Sequence, residues 1–317
     1  MNICITGAAG HIGSALIRNI SLPSVDKVHL VDNLMTQRCA SLFNLPDGVN
    51  YVFHEMDIMS DDMREVIRDC NVLIHLAAVT NAEASFNNVE MVKKVNKQGL
   101  EHVARICAQE KCALLFPSST SVYGVSQGII DENCTEQDLK PQSPYAESKL
   151  YGEKFLKTLS KEEGLRFVTF RLGTIFGYSI GMRFHTAVNK FIWQASQGKE
   201  ITVWQTALNQ KRPYCDLNDC AQAIQYALKE NIFDGEIYNI LTVNLTVAEV
   251  IETIKKYVPD LAVKFVDSAI MNQLSYDVCT KKSLERGFRY TGQLDQRVRE
   301  TIEQLRNLNP STVGIRL

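Results

Sequence analysis

The segment ITGAAGHIG, residues 5 to 13, limits what this chain can fold into more than any other. It begins on the last residues of the β-branched run NICIT, residues 2 to 6, and a helical pattern opens straight after it. Strand, glycine turn and helix N-terminus in that order form the phosphate-facing unit of open parallel sheets. The glycines permit the tight turn, let the backbone approach a pyrophosphate and let the helix pack on the strand, while the first helical N–H groups face the anion. Gly7, Gly10 and Gly13 are spaced G-x-x-G-x-x-G, so the triplet alone does not separate a dinucleotide site from an ordinary turn. Asp32 adds the discrimination. It ends the run KVHLVD, about twenty residues downstream, where a carboxylate accepts hydrogen bonds from an adenosine ribose. An acid there repels a 2′-phosphate and favours NAD, and Arg38 close by leaves NADP open.

Short β-branched runs continue to alternate with helical patterns through the first half: VNYVF (49 to 53), NVLIHLA (71 to 77), ALLFPSS (113 to 119) and RFVTFR (166 to 171). Six strands separated by helices predict an α/β protein with a Rossmann-type doubly wound parallel sheet. The clearest helices cover 89 to 110, with Val89, Val92, Val95, Leu100, Val103, Ala104 and Cys107 on one stripe, and 144 to 163, opened by Pro144 and closed by Gly164. After residue 172 the rhythm loosens into helix 184 to 197, strand 201 to 204, helix 218 to 229, strand 236 to 240, helix 246 to 257 and a last helix near 296 to 306. The expected organisation is an NAD-binding domain over 1 to 172, with returning segments at about 213 to 241. A smaller C-terminal substrate-binding lobe takes 173 to 212 and 242 to 317, and the cleft between the two is the natural ligand site.

Composition narrows the partners. With 317 residues, 45% hydrophobic and 22% charged, the chain reads as a globular protein, and a net charge of −2 supplies no basic field for nucleic acid or an anionic membrane. The longest apolar run, VLIHLAAV, is far short of the ~20 residues that span a bilayer. Nine cysteines without a C-x-x-C, and six histidines without metal spacing, read as thiols of a reducing compartment and as no metal site. A strand starting at Asn2 leaves no room for a signal peptide, so a cytoplasmic location is expected.

Two further segments carry chemistry. FPSSTSVYG, residues 116 to 124, runs off the end of the fifth strand, where ligands of open α/β sheets bind, so Ser118, Ser119 and Thr120 are placed to reach them. SPYAESK, residues 143 to 149, puts Tyr145 and Lys149 one helical turn apart on one face. Removing hydride from a secondary alcohol requires a base for the hydroxyl proton, and a tyrosine at its ordinary pKa of ~10 is protonated at neutral pH. A lysine ammonium one turn away, with the positive nicotinamide ring, stabilises the phenolate. Lys149 is also placed to hold the nicotinamide ribose, and a serine hydroxyl to hold the reacting oxygen.

With these residues in hand, the chain resembles the extended short-chain dehydrogenase/reductase superfamily, in its NAD-dependent epimerase/dehydratase group acting on nucleotide sugars. TGAAGHIG, VDNL (31 to 34), MDI (56 to 58), HLAA (75 to 78), Asn96, SSTSVYG, PYAESK and RLGTIFG (171 to 177) occur in the family's order. The resemblance implies Ser119, Tyr145 and Lys149 as the catalytic set. Its cofactor set is Gly7, Gly10, His11, Ile12, Gly13, Asp32, Asn33, Asp57 and Ile58 at the adenine, Leu76, Ala77 and Ala78 along the pyrophosphate path, Asn96, Tyr145 and Lys149. Substrate contacts are expected from Thr120, Thr174, Arg183, Asn189, Trp204 and Arg212. The helices near 89 to 110 and 145 to 163 imply a homodimer.

Departures from the family pattern bear on the substrate. Thr120 and Ser121 stand where sugar 4,6-dehydratases carry an acidic pair, which disfavours that reaction. Thr174 replaces a substrate-contacting Asn, KRPY replaces the R-D-Y diphosphate motif while keeping Arg212, and NQLSYD (272 to 277) lacks the second phosphate-binding Arg. The reading is therefore a nucleotide-sugar 4-epimerase first, with a net 4-dehydrogenase or 4-ketosugar reductase beside it, and a non-catalytic NAD-sensing regulator as the other class.

Overall fold

Which strands sit beside the glycine turn decides where a ligand can bind, and this is set by the order of the central sheet. The computed structural model describes residues 1 to 124, 128 to 267 and 275 to 305. Its strands, in chain order, are β1 (Asn2–Thr6), β2 (Lys27–Asp32), β3 (Asn50–Glu55), β4 (Val72–His75), β5 (Ala113–Ser119), β6 (Ile129–Ile130), β7 (Phe167–Leu172), β8 (Thr174–Phe176), β9 (Ile201–Trp204), β10 (Lys211–Asp216), β11 (Ile237–Ile240), β12 (Val243–Thr246), β13 (Val263–Val266) and β14 (Asp277–Val278). The helices are α1 (His11–Asn19), α2 (Met63–Arg68), α3 (Val89–Val92), α4 (Gly99–Gln109), α5 (Pro144–Glu163), α6 (Ala187–Ser196), α7 (Leu217–Lys229), α8 (Val247–Lys255), α9 (Lys281–Arg286) and α10 (Leu294–Leu305).

Seven strands form one sheet in the order β11-β7-β5-β4-β1-β2-β3, all neighbours parallel. Chain order reverses between β1 and β4. A crevice opens at such a switch point beyond the strands' carboxyl ends. Burial follows the pairing: β4 and β7 are buried at every position and β5 at all but the last, as expected of strands covered on both faces, while β3 at the edge alternates with solvent. Ile3, Ile5, Val28, Leu30, Leu115 and Phe170 pack with α1 and α7 on one face. Cys4, Val31, Leu73, Leu114, Leu100, Val103 and Leu156 pack with α2, α4 and α5 on the other. A third core, with Phe176, Val188, Ile192, Val203, Tyr214, Val250, Ile254 and Val298, gathers α6, α8 and α10 over the smaller sheets β8-β10-β12 and β9-β13.

Three local features differ from the sequence expectation. The fourth strand stops at His75, two residues early, because Leu76 turns its N–H to the Thr6 carbonyl and the chain then leaves the sheet against the glycine turn. The helix expected over 89 to 110 is α3, a π-helical turn Lys93–Gln98, and α4, and Asn96 sits in the turn. The strand at 236 to 240 is a seventh member of the main sheet, whereas β10 pairs with β8 and β12. Helix α5 keeps its expected bounds: Ser143 accepts the Ala146 N–H as N-cap, Pro144 opens it and Gly164, with φ +72°, ends it. Residues 272 to 274 of NQLSYD lie outside the described residues, as does the 306 end of the last helix. Among the described residues no helix is long and apolar enough to cross a membrane, and no cluster of three or more His, Cys, Asp or Glu side chains is placed to hold a metal ion.

Candidate active site

The glycine turn is tight enough that its residue choices are forced. Gly7 has φ +68°, and a Cβ there would lie 2.7 Å from the Ala77 nitrogen; one on Gly13 would lie 2.5 Å from the Ala8 carbonyl. Leu76, Ala77 and Ala78 are thereby pressed along the turn, each half-buried at the mouth of the switch point. Asp32 accepts the Ala9 N–H at 3.0 Å and the Leu34 N–H at 2.9 Å, which fixes its carboxylate beside the turn. Asn33 donates to Asp57 at 3.0 Å, while Ile58 is buried with its side chain against Gly99. Ile12 faces the first core from α1.

A loop after β8 closes over the same turn, a relation the motifs did not reveal. His11 donates from Nε2 to the Gly177 carbonyl at 2.8 Å, and burial holds its pKa down to about 4, so the ring is neutral. Ser14 accepts the Gly181 N–H at 3.0 Å, and a Cβ on Gly181 would lie 2.4 Å from the Ala9 carbonyl. Arg183 follows, hydrogen-bonded to Thr80, with one Nη 3.7 Å from where a Gly10 Cβ would be. Nε of Arg183 and Nη1 of Arg38 are buried with no partner among the described residues, and burial depresses both guanidinium pKa values. A glycine cradle, an anchored acid and two guanidinium groups with unspent donors fit a dinucleotide pyrophosphate.

The polar cluster lies one step along the sheet. At the end of β5 three successive residues face three residues of α5. Ser119 lies near enough to the Tyr145 phenol to favour its ionisation, the Pro117 carbonyl accepts Lys149 Nζ at 2.8 Å, and Ser118 donates to Glu153 at 2.5 Å. The Ser119 hydroxyl also accepts the Ser121 N–H and hydroxyl at 3.1 and 2.9 Å, which aims its own proton elsewhere. Tyr145 is half-buried, and burial opposes the phenolate, raising its pKa, while Ser119 and the Arg183 charge pull the other way. Lys149 is buried, 4.8 Å above the Phe116 ring and 5.9 Å from the Tyr145 ring centroid, and burial lowers its pKa to about 8 against the opposing pull of Glu153. Asn96 spends its whole amide on this scaffold: its carbonyl accepts the Val79 N–H, and its NH2 donates to the Val79 carbonyl and to Ser148, which in turn bonds the Tyr145 carbonyl.

The residues expected on the substrate side are less uniform. Thr120 is buried and donates to the Leu172 carbonyl at 3.3 Å, and Thr174 is half-buried on β8. Asn189 is fully buried, accepting the Gly177 N–H and donating to the Arg183 carbonyl, both at 3.3 Å, so it meets the cleft only through the loop it holds. Trp204 is half-buried at the end of β9, and Arg212 on β10 donates to Gln210 at 3.2 Å. The switch-point crevice with a glycine cradle on one wall and a Ser–Tyr–Lys cluster on the other defines a Rossmann-type α/β protein of the dinucleotide-dependent class. The chain belongs to the NAD dependent epimerase/dehydratase family, whose model matches residues 3–240. It is 29% identical over 247 residues to an uncharacterized UDP-glucose epimerase of Bacillus subtilis, covering 76% of each chain. It is 27% identical over 250 residues to a dTDP-glucose 4,6-dehydratase of Streptomyces niveus, covering 76% of this chain and 72% of that one. Among solved structures it shares its fold with a UDP-glucuronic acid 4-epimerase from Bacillus cereus in complex with UDP-glucuronic acid and NAD, at TM-score 0.88 and 24% identity, over 97% of this chain and 100% of that one. A Thermus thermophilus UDP-glucose 4-epimerase complexed with NAD superposes at TM-score 0.81 and 23% identity, with the same coverage.

Proposed function

We propose that this protein is an NAD-dependent 4-epimerase of a nucleotide-diphosphate sugar, with Tyr145 as the base that takes the sugar hydroxyl proton. The observation that carries this reading is the alignment of Ser119, Tyr145 and Lys149 across the β5–α5 junction, beside a cradle fitted to a dinucleotide. NAD held in this cradle would supply the hydride acceptor for oxidation of the sugar carbon and, once reduced, the hydride donor. Ser119 orients the reacting oxygen, Lys149 stabilises the Tyr145 phenolate, and that phenolate takes the hydroxyl proton to become the neutral phenol. The glycine turn with His11, Ile12, Asp32, Asn33, Asp57 and Ile58, the Leu76–Ala78 stretch and Asn96 make up the cofactor side. Thr120, Thr174, Arg183, Trp204 and Arg212 make up the substrate side, with Asn189 acting through its loop. Elimination of water is disfavoured, since Thr120 is bonded to a backbone carbonyl and Ser121 to Ser119 where a dehydratase needs an acid and a base.

The substrate cleft lies between the dinucleotide domain and the lobe around the third core, and names of relatives point to UDP-sugars. We also infer a cytoplasmic homodimer joined through α4 and α5, whose outer faces carry the Tyr151–Phe155 stack flanked by Lys97 and Arg105. Sedimentation would show a dimer, and a monomer at micromolar concentration would exclude it. The activity is tested by incubating the protein with UDP-, GDP-, dTDP- and CDP-sugars while following absorbance near 340 nm and the product by NMR. An epimer without net NADH is the expected result. Lasting NADH would make it a dehydrogenase, oxidation of NADH by a ketosugar a reductase, and no response to any sugar would leave a non-catalytic NAD-sensing protein.

A further inference from the structure

Below the reacting groups lies a buried ionic brace that the mechanism above does not use. Glu153 and Arg171 are both almost fully buried and joined twice, Nε to Oε1 at 3.0 Å and Nη2 to Oε2 at 2.7 Å. Ser118 adds a third hydrogen bond to the carboxylate at 2.5 Å. Arg171 also lies over the Tyr123 ring, 4.7 Å from its centroid, and the Tyr123 hydroxyl donates to Asn239 at 2.8 Å. Replacing a buried ion pair by apolar residues is often neutral or stabilising, so stability gives a weak reason for this one. Its position gives a better one. Tyr145, Lys149 and Glu153 recur at i, i+4 and i+8 on α5, and the neighbouring β5 residues Pro117 and Ser118 bind Lys149 and Glu153 in turn.

We propose that Glu153 is a positioning residue for the reaction: the Ser118–Glu153–Arg171 brace fixes a carboxylate one helical turn from Lys149 and so keeps that lysine charged and aimed at Tyr145. This rests on the reading of Tyr145 and Lys149 as base and electrostatic partner. Every group facing Lys149 is consistent with the need. Phe116 and the Pro117 carbonyl come from β5 and carry no charge. His75 on β4 is buried, bonded to Thr6 and held neutral with its pKa down to about 3. Burial opposes ionisation of Tyr145, and Arg171 is paired with Glu153 in the brace. Among these groups Glu153 is the carboxylate that opposes the effect of burial on Lys149.

The test measures Lys149 itself. In 13C-lysine-labelled protein free of NAD, the Lys149 ε-carbon, assigned by its loss in Lys149→Met, is titrated in wild type, Glu153→Gln and Glu153→Asp. The midpoint is expected to fall by about one pH unit in Glu153→Gln and to recover in part in Glu153→Asp. The alkaline limb of kcat against pH should move by the same amount. Because Glu153→Gln leaves Arg171 buried and unpaired, the double variant Glu153→Gln/Arg171→Met removes both charges together, and its Lys149 midpoint should fall as well. An unchanged midpoint in the double variant overturns the proposal, whatever the single variant shows, as does a loss of kcat with no movement of the pH limb, which is the signature of a packing role. The NMR titration requires no turnover, so its outcome is separate from a failure to find a sugar substrate.

Discussion

The phenol proposed as the base is placed where burial resists its charge, and the side chains around it decide whether the resistance is overcome. Ser119 and Arg183 both favour the phenolate, and Lys149 sits one turn away with its own pKa lowered to about 8. Tyr145→Phe removes the proposed base and nothing else of size. Steady-state turnover of the active sugar should drop by about 10²- to 10⁴-fold, with NAD binding kept within a few-fold by titration. Lys149 is charged below its pKa, so activity should be lost on the alkaline side as pH rises through about 8. A pH profile flat from 7 to 10 would contradict that assignment. At this scale the sequence was legible where chemistry constrains spacing, as with Tyr145 and Lys149. Glu153 and Arg171 were not legible, because a Glu four residues beyond a Lys reads as a solvated helix ladder until the sheet shows which face of α5 is covered.

Among elements, the loop after β8 matters most, since it ties the far part of the chain to the glycine turn through His11–Gly177 and Ser14–Gly181. Gly181 approaches backbone atoms that have nowhere to move, so Gly181→Ala should lift the loop. With overpacking costs of about 1–3 kcal/mol, NAD affinity should weaken roughly tenfold while the midpoint of thermal unfolding shifts by only a few degrees. Calorimetric titration with NAD would show it, and unchanged affinity would mean that the loop does not bear on the cofactor. The sequence marked the strands of the main sheet well because each is a short β-branched run bounded by turn residues. It missed the π turn at Lys93–Gln98, since apolar spacing continues through 89 to 110 whichever carbonyl each N–H selects. It also read 213 to 241 as one returning stretch with no strand at β10, whereas β11 alone joins the main sheet and β10 pairs with β8 and β12.

The whole molecule folds around buried histidines that must stay neutral. His11 and His75 have pKa values near 4 and 3 in the folded chain, lowered chiefly by burial, against about 6.5 when unfolded. Between those values the unfolded chain binds more protons, so stability is intact above pH about 6.5 and declines as pH falls toward 4. Urea unfolding at pH 7 and pH 5 should differ by roughly 4 kcal/mol if each histidine contributes about 1.4 kcal/mol per pH unit, and equal stabilities would refute the assignment. On this scale the α/β class and the dinucleotide-binding face were readable from alternation and glycine spacing. The third core was not, since α6, α8 and α10 come from separated stretches that share no sequence pattern.

In the proposed mechanism Tyr145 removes a proton as hydride leaves a sugar carbon. That step is tested most directly by mixing NAD-loaded protein with the active nucleotide sugar in a stopped-flow instrument and recording the absorbance rise at about 340 nm in a single turnover. The account predicts a rapid rise in wild type and one slower by about 10²-fold or more in Tyr145→Phe at equal NAD and sugar occupancy. Equal rates in the two proteins would contradict it.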